Sequence, residues 1–426
     1  MTPTTKRTLG FIGGALMTTA IAAPASAQSA QPRDRIGGDP RDRIFALEQR
    51  VNEMENRGGV KVAPGTTFEF GGYVKLDFTY DFEQTQGFSV GGSTLGVGRP
   101  DDGGFRAQAR ESRFNVKSTT QTDTGPVTAL IEFDFFNGDG NELISNSNRA
   151  RLRLAYGTWN GFLAGQNWSL FMPIAFGAAQ VNFAGPVGTV FLRHPQVRYT
   201  FPEMETASGS FTAAVSLESS ENSARFDDPN FGAGGLAAPS IGGSEPKTDQ
   251  LPDLIGAVTW TNGVQRAKVA GMLTELNSPI GSDSEIGYGV NLAFATPLWA
   301  GSDFRGSFNW GDGLGRYILS GGIGNAGIID TTTGNLDTIE IWGGQLSLRQ
   351  TLTDTISISF AGGFFRAEDR FAPTDRKEQI SATTTVFYEP NSKTTMGLQF
   401  LWLQAENDRG AQEAASRLQF STQFRF

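Results

Sequence analysis

From Thr66 to Phe426, apolar and polar side chains alternate along many short segments of the chain. The last ten residues show this pattern most clearly. One face carries Leu418, Phe420, Phe424 and Phe426, and the other carries Arg417, Gln419, Ser421, Gln423 and Arg425. Successive side chains of a β-strand point to opposite sides of the sheet, so the pattern predicts a strand with one apolar and one polar face.

About sixteen segments repeat this period of two, which predicts an all-β chain. They lie near 67–82, 108–120, 126–137, 148–157, 161–168, 194–202, 209–219, 253–261, 264–276, 285–296, 303–311, 337–350, 355–367, 378–389, 393–405 and 414–426. In 337–350 the alternation is lost at Gly343-Gly344, which predicts a β-bulge there.

The connections between these segments alternate in length. Short turns are predicted at 123–125, 159–161, 261–263, 353–354 and 390–391, and long loops at 83–107, 169–193, 220–252, 312–336 and 368–377. Alternating connections and half-apolar strands are typical of a barrel whose outer face meets lipid and whose inner face meets water. We therefore predict a transmembrane antiparallel β-barrel of about 16 strands over 66–426. A β-propeller is the alternative, but no blade-length repeat is present.

The first residues predict export rather than a membrane anchor. Lys6 and Arg7 precede a moderately apolar stretch, 9–23, that is short for a bilayer span, and Ala25-Ser26-Ala27 matches a small-residue cleavage pattern. Residues 1–27 are therefore predicted to be a signal peptide, with a polar linker at 28–40.

The segment 41–57 predicts a helix, because Ile44, Leu47, Val51 and Met54 repeat at a/d spacing over two heptads. It forms either a coiled coil between barrels or a helix resting on its own barrel.

Composition narrows the classes of function. The 426 residues contain no cysteine, which excludes disulfides and thiol chemistry, and the net charge of −9 argues against a nucleic-acid partner. The one histidine, His194, has no nucleophile motif beside it and is expected at the rim or in the lumen. We predict no enzyme, no catalytic residue, no metal site and no cofactor.

The candidate chemistry is basic. Arg149, Arg151 and Arg153 share one face of their strand, opposite Ala150, Leu152, Leu154 and Tyr156, so they are predicted to line the lumen. By the same parity the lumen receives Arg113, Lys117 and Arg198 around mid-height, with Glu132 and Asp134 facing the arginines. Arg266 and Arg305 follow short turns and are expected nearer the periplasm. A positively charged wall of this kind is typical of an anion-preferring pore.

The loop 169–193 is long, mostly uncharged and rich in Phe, Gly and Ala. On the cell surface it would form an exposed apolar patch. Two positions remain open for it: folded into the lumen, where Phe171, Phe176 and Phe183 would narrow the pore, or in contact with a second protomer. Infolding is the favoured prediction.

The chain resembles the DcaP-like trimeric outer-membrane porins. The similar segments are 70–77 (FGGYVKLD), 110–114 (RESRF), 151–157 (RLRLAYG), 162–169 (FLAGQNWS) and 195–200 (PQVRYT). The resemblance implies sixteen strands, a homotrimer, a periplasmic N-terminal coiled coil and uptake of small organic anions such as dicarboxylates. It also implies a basic constriction at Arg113, Arg151, Arg153 and Arg198.

The sequence thus predicts a Gram-negative outer-membrane porin for passive diffusion of small hydrophilic solutes, preferably anions. Its partners are expected to be small solutes, outer-membrane lipid and two further copies of the chain. An even strand number places both termini in the periplasm. Two alternatives remain: a sugar-type porin, and a non-conducting structural or adhesive barrel.

Overall fold

A computed structural model describes residues 59–63, 65–84, 102–137, 145–146, 148–220, 224–226, 250–318, 326–368, 376–407 and 410–426. The predicted signal peptide (1–27), linker (28–40) and helix (41–57) lie outside the described residues. In the described part, no helix combines the length and apolar character needed to cross a membrane.

The described chain is built of β-strands with two short 3-10 turns, Ile174–Phe176 and Gly315–Tyr317. The strands are β1 Gly59–Ala63, β2 Thr66–Asp81, β3 Gly104–Gln108, β4 Arg113–Thr120, β5 Val127–Asn137, β6 Arg149–Trp159, β7 Phe162–Trp168, β8 Arg193–Thr200, β9 Met204–Thr206, β10 Gly209–Glu218, β11 Arg225–Phe226, β12 Asp253–Thr261, β13 Arg266–Asn277, β14 Ser284–Thr296, β15 Ser302–Asp312, β16 Gly327–Ile329, β17 Leu336–Thr338, β18 Glu340–Thr351, β19 Ile356–Ala367, β20 Arg376–Asn391, β21 Thr394–Asn407 and β22 Gln412–Arg425.

Nineteen of these elements form one sheet, which closes into an antiparallel barrel of sixteen strands, as predicted, with the short β1 paired alongside β2. Its second strand is interrupted, so that β3 and β4 both pair with β2, and its sixth strand consists of β8 and β9, which both pair with β10. The barrel closes where β2 pairs with β22, from Tyr73 opposite Arg425 to Asp81 opposite Arg417. The short β11, β16 and β17 form a separate three-stranded sheet.

Alternate side chains of each strand face opposite sides of this wall. In β14, Leu292 is 46% exposed, whereas its neighbour Asn291 is 0% exposed and lies opposite Asn309 in β15. An exposed apolar outer face and a covered polar inner face are the reverse of a soluble barrel and match a membrane-spanning one.

Aromatic side chains lie on the outer face near both ends of the strands. At the long-loop end, Tyr288 packs edge-on against Trp310, whose register partner in β18 is Trp342. At the opposite end, Phe162 packs against Tyr199. Aromatic belts at both water interfaces are a common feature of transmembrane barrels.

The longest connections lie at one end of the barrel and the opposite end has only short turns, as predicted. One of the two-residue turns is Asn160-Gly161 between β6 and β7, in which both residues have positive φ, 46° and 83°. Such a turn matches the twist of the paired strands. The chain enters β2 and leaves β22 at this short-turn end, and the long connections lie at the opposite, long-loop end.

The predicted bulge at Gly343-Gly344 is wrong. The strand β18 pairs without a register shift with both β15 and β19. A bulge lies instead in β6, where the pairing with β5 shifts between Glu132 and Phe133. The two glycines interrupt the alternation of apolar and polar residues but not the hydrogen-bonded pairing of the strand. A glycine in a strand can mark a close backbone approach as well as a bulge.

Prediction for the outer wall. Leu292→Arg places a charge on the outer face near the middle of β14, so it should lower the free energy of unfolding by about 2–4 kcal/mol. Urea titration in lipid vesicles, followed by tryptophan fluorescence, measures the change. The uncharged variant Leu292→Ser is the control and should cost clearly less. Equal costs for both variants would contradict a lipid-facing wall.

Candidate pore constriction

The connection between β7 and β8, residues 169–192, folds into the barrel and is referred to here as the inner loop. Its backbone is held by lumenal side chains of the distant strands β13, β18 and β21. Lys268 Nζ donates to the carbonyls of Leu170 at 2.7 Å and Met172 at 2.9 Å. Gln345 Nε2 donates to the carbonyl of Phe176 at 3.0 Å, and Gln399 Oε1 accepts from the amide of Val181 at 2.8 Å. The inner loop therefore covers the wall opposite β5 and β6.

Glycines allow the inner loop to touch this wall. Gly188 has a φ of 77° and rests directly on Gly343 of β18, whose missing Cβ would lie 3.0 Å from the Cα of Gly188. Asn309 Nδ2 donates to the carbonyl of Gly188 at 2.8 Å. This close approach is the structural reason for the glycine that the sequence assigned to a bulge.

Part of the lumenal wall is apolar where the inner loop packs on it. Phe171 is fully buried against Ile255, Met272 and Tyr317, and Phe176 is buried against Ala293 and Ala295. The rule that lumenal side chains are polar does not predict the apolar residues of this wall. The sequence does carry a signal for them: both faces of 254–258 and 269–273 are apolar, which indicates that a second surface covers the inner face of these strands.

The wall formed by β4, β5 and β6 carries the predicted charged residues. Arg151 donates two hydrogen bonds to Asp134, at 2.9 and 2.7 Å. Arg153 joins the two carboxylates, with Nε 2.8 Å from Glu132 and Nη1 2.8 Å from Asp134. The guanidinium of Arg113 lies 3.6 Å from Glu132. Paired, charge-assisted contacts of this kind fix both the position and the plane of a guanidinium group.

The bulge in β6 changes part of the predicted facing. Leu154 and Tyr156, predicted on the outer face, lie opposite Glu132 and Leu130 of β5. Directly paired residues point to the same side of a sheet, so Leu154 and Tyr156 lie on the lumenal side. The prediction for these two side chains is wrong because a bulge reverses parity, whereas Leu152 remains exposed on the outer face beside Phe133.

Aromatic rings of the inner loop and the neighbouring strands contact the arginines. Phe183 lies under both Arg151 and Arg153, at 5.7 and 5.8 Å from its ring centre. Trp168 lies under Arg153 at 5.7 Å and under Arg193 at 4.6 Å. Cations over aromatic faces are stabilised by the ring quadrupole.

Arg193 was not predicted as a site residue, since it closes the inner-loop segment and its parity is undefined there. It lies over Trp168 and Phe191 and has no ion pair among the described residues. Arg113, Arg151, Arg153 and Arg193, with Glu132 and Asp134, are called the arginine cluster below. Four guanidinium groups and two carboxylates leave two net positive charges.

Exposure separates the roles of these arginines. The side chain of Arg151 is 32% exposed and that of Arg113 is 20% exposed, whereas that of Arg153 is 2% exposed. Arg113 and Arg151 are therefore the members of the cluster that are accessible from the lumen. Arg153 holds the two carboxylates in place behind them.

The remaining predicted site residues lie apart from this cluster. Arg198 donates to the carbonyl of Trp168 at 2.7 Å, on the neighbouring wall. Arg149 lies exposed at the long-loop end of β6, in register with Asn137. Lys117 lies 3.4 Å from Glu69 near the short-turn end, rather than at the predicted mid-height. Of the three predicted phenylalanines, Phe183 contacts the arginines, while Phe171 and Phe176 anchor the inner loop.

A second connection braces the inner loop from the long-loop side. Val190 pairs with Ile318, and the hydroxyl of Tyr317 donates to Asp253 at 2.5 Å. Burial, followed by the nearby Asp253 carboxylate, raises the pKa of Tyr317 well above its usual value, so its hydroxyl keeps the proton that this bond needs. His194 is buried and stacks on Tyr317.

A closed sixteen-stranded wall with an apolar exterior and a loop folded into its lumen defines an outer-membrane channel. Residues 63–425 match the family described as the porin subfamily, and the chain belongs to that family. The predicted porin class is thereby confirmed. A comparison with curated proteins finds no match.

Several solved structures share the fold. The outer membrane channel DcaP of Acinetobacter baumannii is 19% identical, with a TM-score of 0.72 over 87% of this chain and 100% of that chain. An anion-selective porin from Comamonas acidovorans is 12% identical, with a TM-score of 0.55 over 85% of this chain and 100% of that chain. OmpT of Vibrio cholerae in its trimer form is 12% identical, with a TM-score of 0.52 over 85% and 100%. The likeness to DcaP confirms the predicted resemblance at the level of the fold.

Prediction for the carboxylate at the centre of the cluster. Asp134→Asn removes one negative charge and should raise the anion-to-cation permeability ratio. It also leaves Arg153 with a single carboxylate partner, which should lower the free energy of unfolding by about 3 kcal/mol. Reversal potentials in a salt gradient and urea titration measure the two effects.

The control is Glu378→Gln, which removes a carboxylate that pairs with Arg366. Arg366 shares its strand face with the exposed Phe360 and therefore lies on the outer side of the wall. This control should leave the permeability ratio unchanged. A lower ratio in Asp134→Asn would contradict the placement of Asp134 beside the ion path.

Proposed function

We propose that the chain is a porin for passive diffusion of small hydrophilic solutes that prefers anions. The observation that carries this proposal is the surplus of guanidinium groups in the arginine cluster, of which Arg113 and Arg151 are accessible from the lumen. The inner loop is attached to the opposite wall and reaches the arginine cluster through Phe183, so the solute path is narrowed beside the arginines. Positive side chains at a narrow point favour anions by replacing part of their hydration shell.

The roles within the proposed constriction follow from exposure. Arg113 and Arg151 contact the solute, Arg153 with Glu132 and Asp134 positions them, and Phe183 limits the opening from the inner loop. Arg198 and Lys117 contribute positive potential on either side. The dicarboxylate-like solute class rests on the resemblance to the DcaP-like porins alone.

The aromatic rings weigh against a sugar-type porin. Sugar pores need open aromatic faces on which a pyranose can stack. Here Arg193 covers Trp168, and Arg151 covers Phe136 at 5.2 Å from its ring centre. The faces are already occupied by cations, which favours the anion-preferring function.

The proposal includes location and assembly. Both chain ends of the barrel lie at the short-turn end, which in this proposal faces the periplasm, and residues 1–27 direct export. We further propose a homotrimer, supported by the shared fold with OmpT of Vibrio cholerae, which has a trimer form. The predicted helix 41–57 would then pair its seam residues Ile44, Leu47, Val51 and Met54 with those of the other two copies.

Prediction for anion preference. Arg113→Ala/Arg151→Ala should lower the anion-to-cation permeability ratio at least about threefold, because one charge about 7 Å from an ion contributes about 0.6 kcal/mol in water. Reversal potentials in planar bilayers under a potassium chloride gradient measure the ratio.

The matched control is Arg366→Ala, which removes an arginine of similar exposure from the outer side of the wall, where it pairs with Glu368 and Glu378. It should leave the ratio unchanged. A cation-selective wild-type pore, or a ratio unaltered in the double variant, would refute the proposed function. Absence of any conductance would support the structural-barrel alternative.

Prediction for assembly. Leu47→Asp/Val51→Asp places charges in the predicted helical seam and should weaken the trimer, because burying an unpaired charge is strongly unfavourable. The temperature at which unheated oligomer converts to monomer on a detergent gel measures this. Gln49→Asp, outside the seam, is the control and should behave as wild type. Equal dissociation temperatures for all three would remove the coiled-coil role.

A further inference from the structure

We infer that the lumen contains a second anion-binding site, at the short-turn end, formed by Arg266, Arg305 and Arg349. These three residues are called the short-turn row below. The inference rests on the proposed function, because it concerns where a permeating anion binds after the arginine cluster. The site would take a carboxylate or another small oxyanion group of the solute.

Strand register brings the short-turn row together. Arg266 of β13 lies opposite Ala295 of β14, which lies opposite Arg305 of β15. Residues in one register row face the same side, and Ala295 is buried under the inner loop, so both arginines face the lumen. Two strand spacings separate their backbones by about 9.6 Å. Arg349 of β18 lies opposite Asp303, two residues before Arg305.

The inner loop contacts two of these arginines, Arg266 and Arg305. Phe176 packs on Ala293 and Ala295, and the guanidinium of Arg266 lies 5.8 Å from the centre of its ring. Arg305 Nη1 lies 3.3 Å from the carbonyl of Gly177. The row is therefore attached to the side of the inner loop remote from the arginine cluster.

The charges of the row do not balance. Arg305 pairs with Asp303 at 2.5 Å, and Arg349 pairs with Glu389. Arg266 forms neither an ion pair nor a hydrogen bond with any described residue, and its guanidinium lies over the face of Phe176. One guanidinium thus remains without a counter-charge beside two neutralised ones. Arg305 keeps 28% of its side chain exposed, so the row is reached from the lumen.

Two separated sites explain how a pore can attract anions and still release them. A single strong site holds its ion, whereas successive weaker sites let one ion displace the next. The arginine cluster and the short-turn row lie on opposite walls and on opposite sides of the inner loop. An anion leaving the cluster toward the short-turn end enters the potential of Arg266.

The test uses the full-length protein in planar bilayers, with inorganic phosphate as the probe. Phosphate is added to one chamber at a time, and its block of the chloride current is measured from each side. When phosphate is added at the short-turn end, Arg266→Gln should raise the half-blocking phosphate concentration about threefold. Block by phosphate added at the long-loop end should stay unchanged. Arg266→Lys keeps the charge and should retain wild-type block.

Two controls separate a site from a general change of mouth potential. Arg425→Gln removes a lumenal-register arginine at the same end, where Arg425 Nη1 donates to the hydroxyl of Thr395 at 3.0 Å. Arg366→Gln removes an arginine from the outer side of the wall. Neither should change block by phosphate as much as Arg266→Gln does.

The outcomes distinguish this inference from the proposed function. Equal shifts in Arg266→Gln and Arg425→Gln, or no shift in Arg266→Gln, would overturn the second site. In that case the proposed function still stands if Arg113→Ala/Arg151→Ala lowers anion preference. A wild-type pore without anion preference would instead overturn the proposed function itself. Heat-modifiable migration on gels verifies that each variant is a folded barrel.

Discussion

The structure depends on one constraint: a backbone that crosses hydrocarbon must pair all its amide and carbonyl groups within the protein. The pairing of β2 with β22 satisfies it by removing the last free edges of the sheet. Closure then determines the remaining architecture. Because the outer face must be apolar, the polar half of each strand is directed inward, and charged side chains at the height of the apolar band gather in the lumen.

That gathering explains why arginines and carboxylates occur together here. Within a lumen partly closed by the inner loop, an unpaired guanidinium loses hydration, so Glu132 and Asp134 stabilise the folded barrel by accepting from Arg151 and Arg153. The same carboxylates leave Arg113 and Arg151 turned toward water. One set of contacts therefore serves both stability and the proposed selectivity.

Much of this could be predicted from the sequence, because period-two alternation and the spacing of turns are local signals. The alternation gives the strand number and the lumenal position of Arg151 and Arg153. The spacing of the turns gives the alternation of short and long connections. Parity fails where a bulge intervenes, as at Leu154 and Tyr156, since a single added residue reverses every later side chain. It also fails for Arg193, because a residue at the junction of loop and strand has no fixed face. The packing of Gly188 on Gly343 depends on residues far apart in sequence, so the local pattern suggested a bulge instead.

The attachment of the inner loop has a consequence for how the aperture responds to its contents. Its backbone is hydrogen-bonded to Lys268, Gln345 and Gln399 on separate strands, and glycine meets glycine where it touches the wall. Movement of any one part would leave buried polar groups unpaired in several places at once. The opening is therefore rigid and is not gated by movement of the loop, so passage is decided by the shape and hydration of the solute. Evolution can then alter its width by exchanging single side chains on the loop, without rebuilding the cylinder around it.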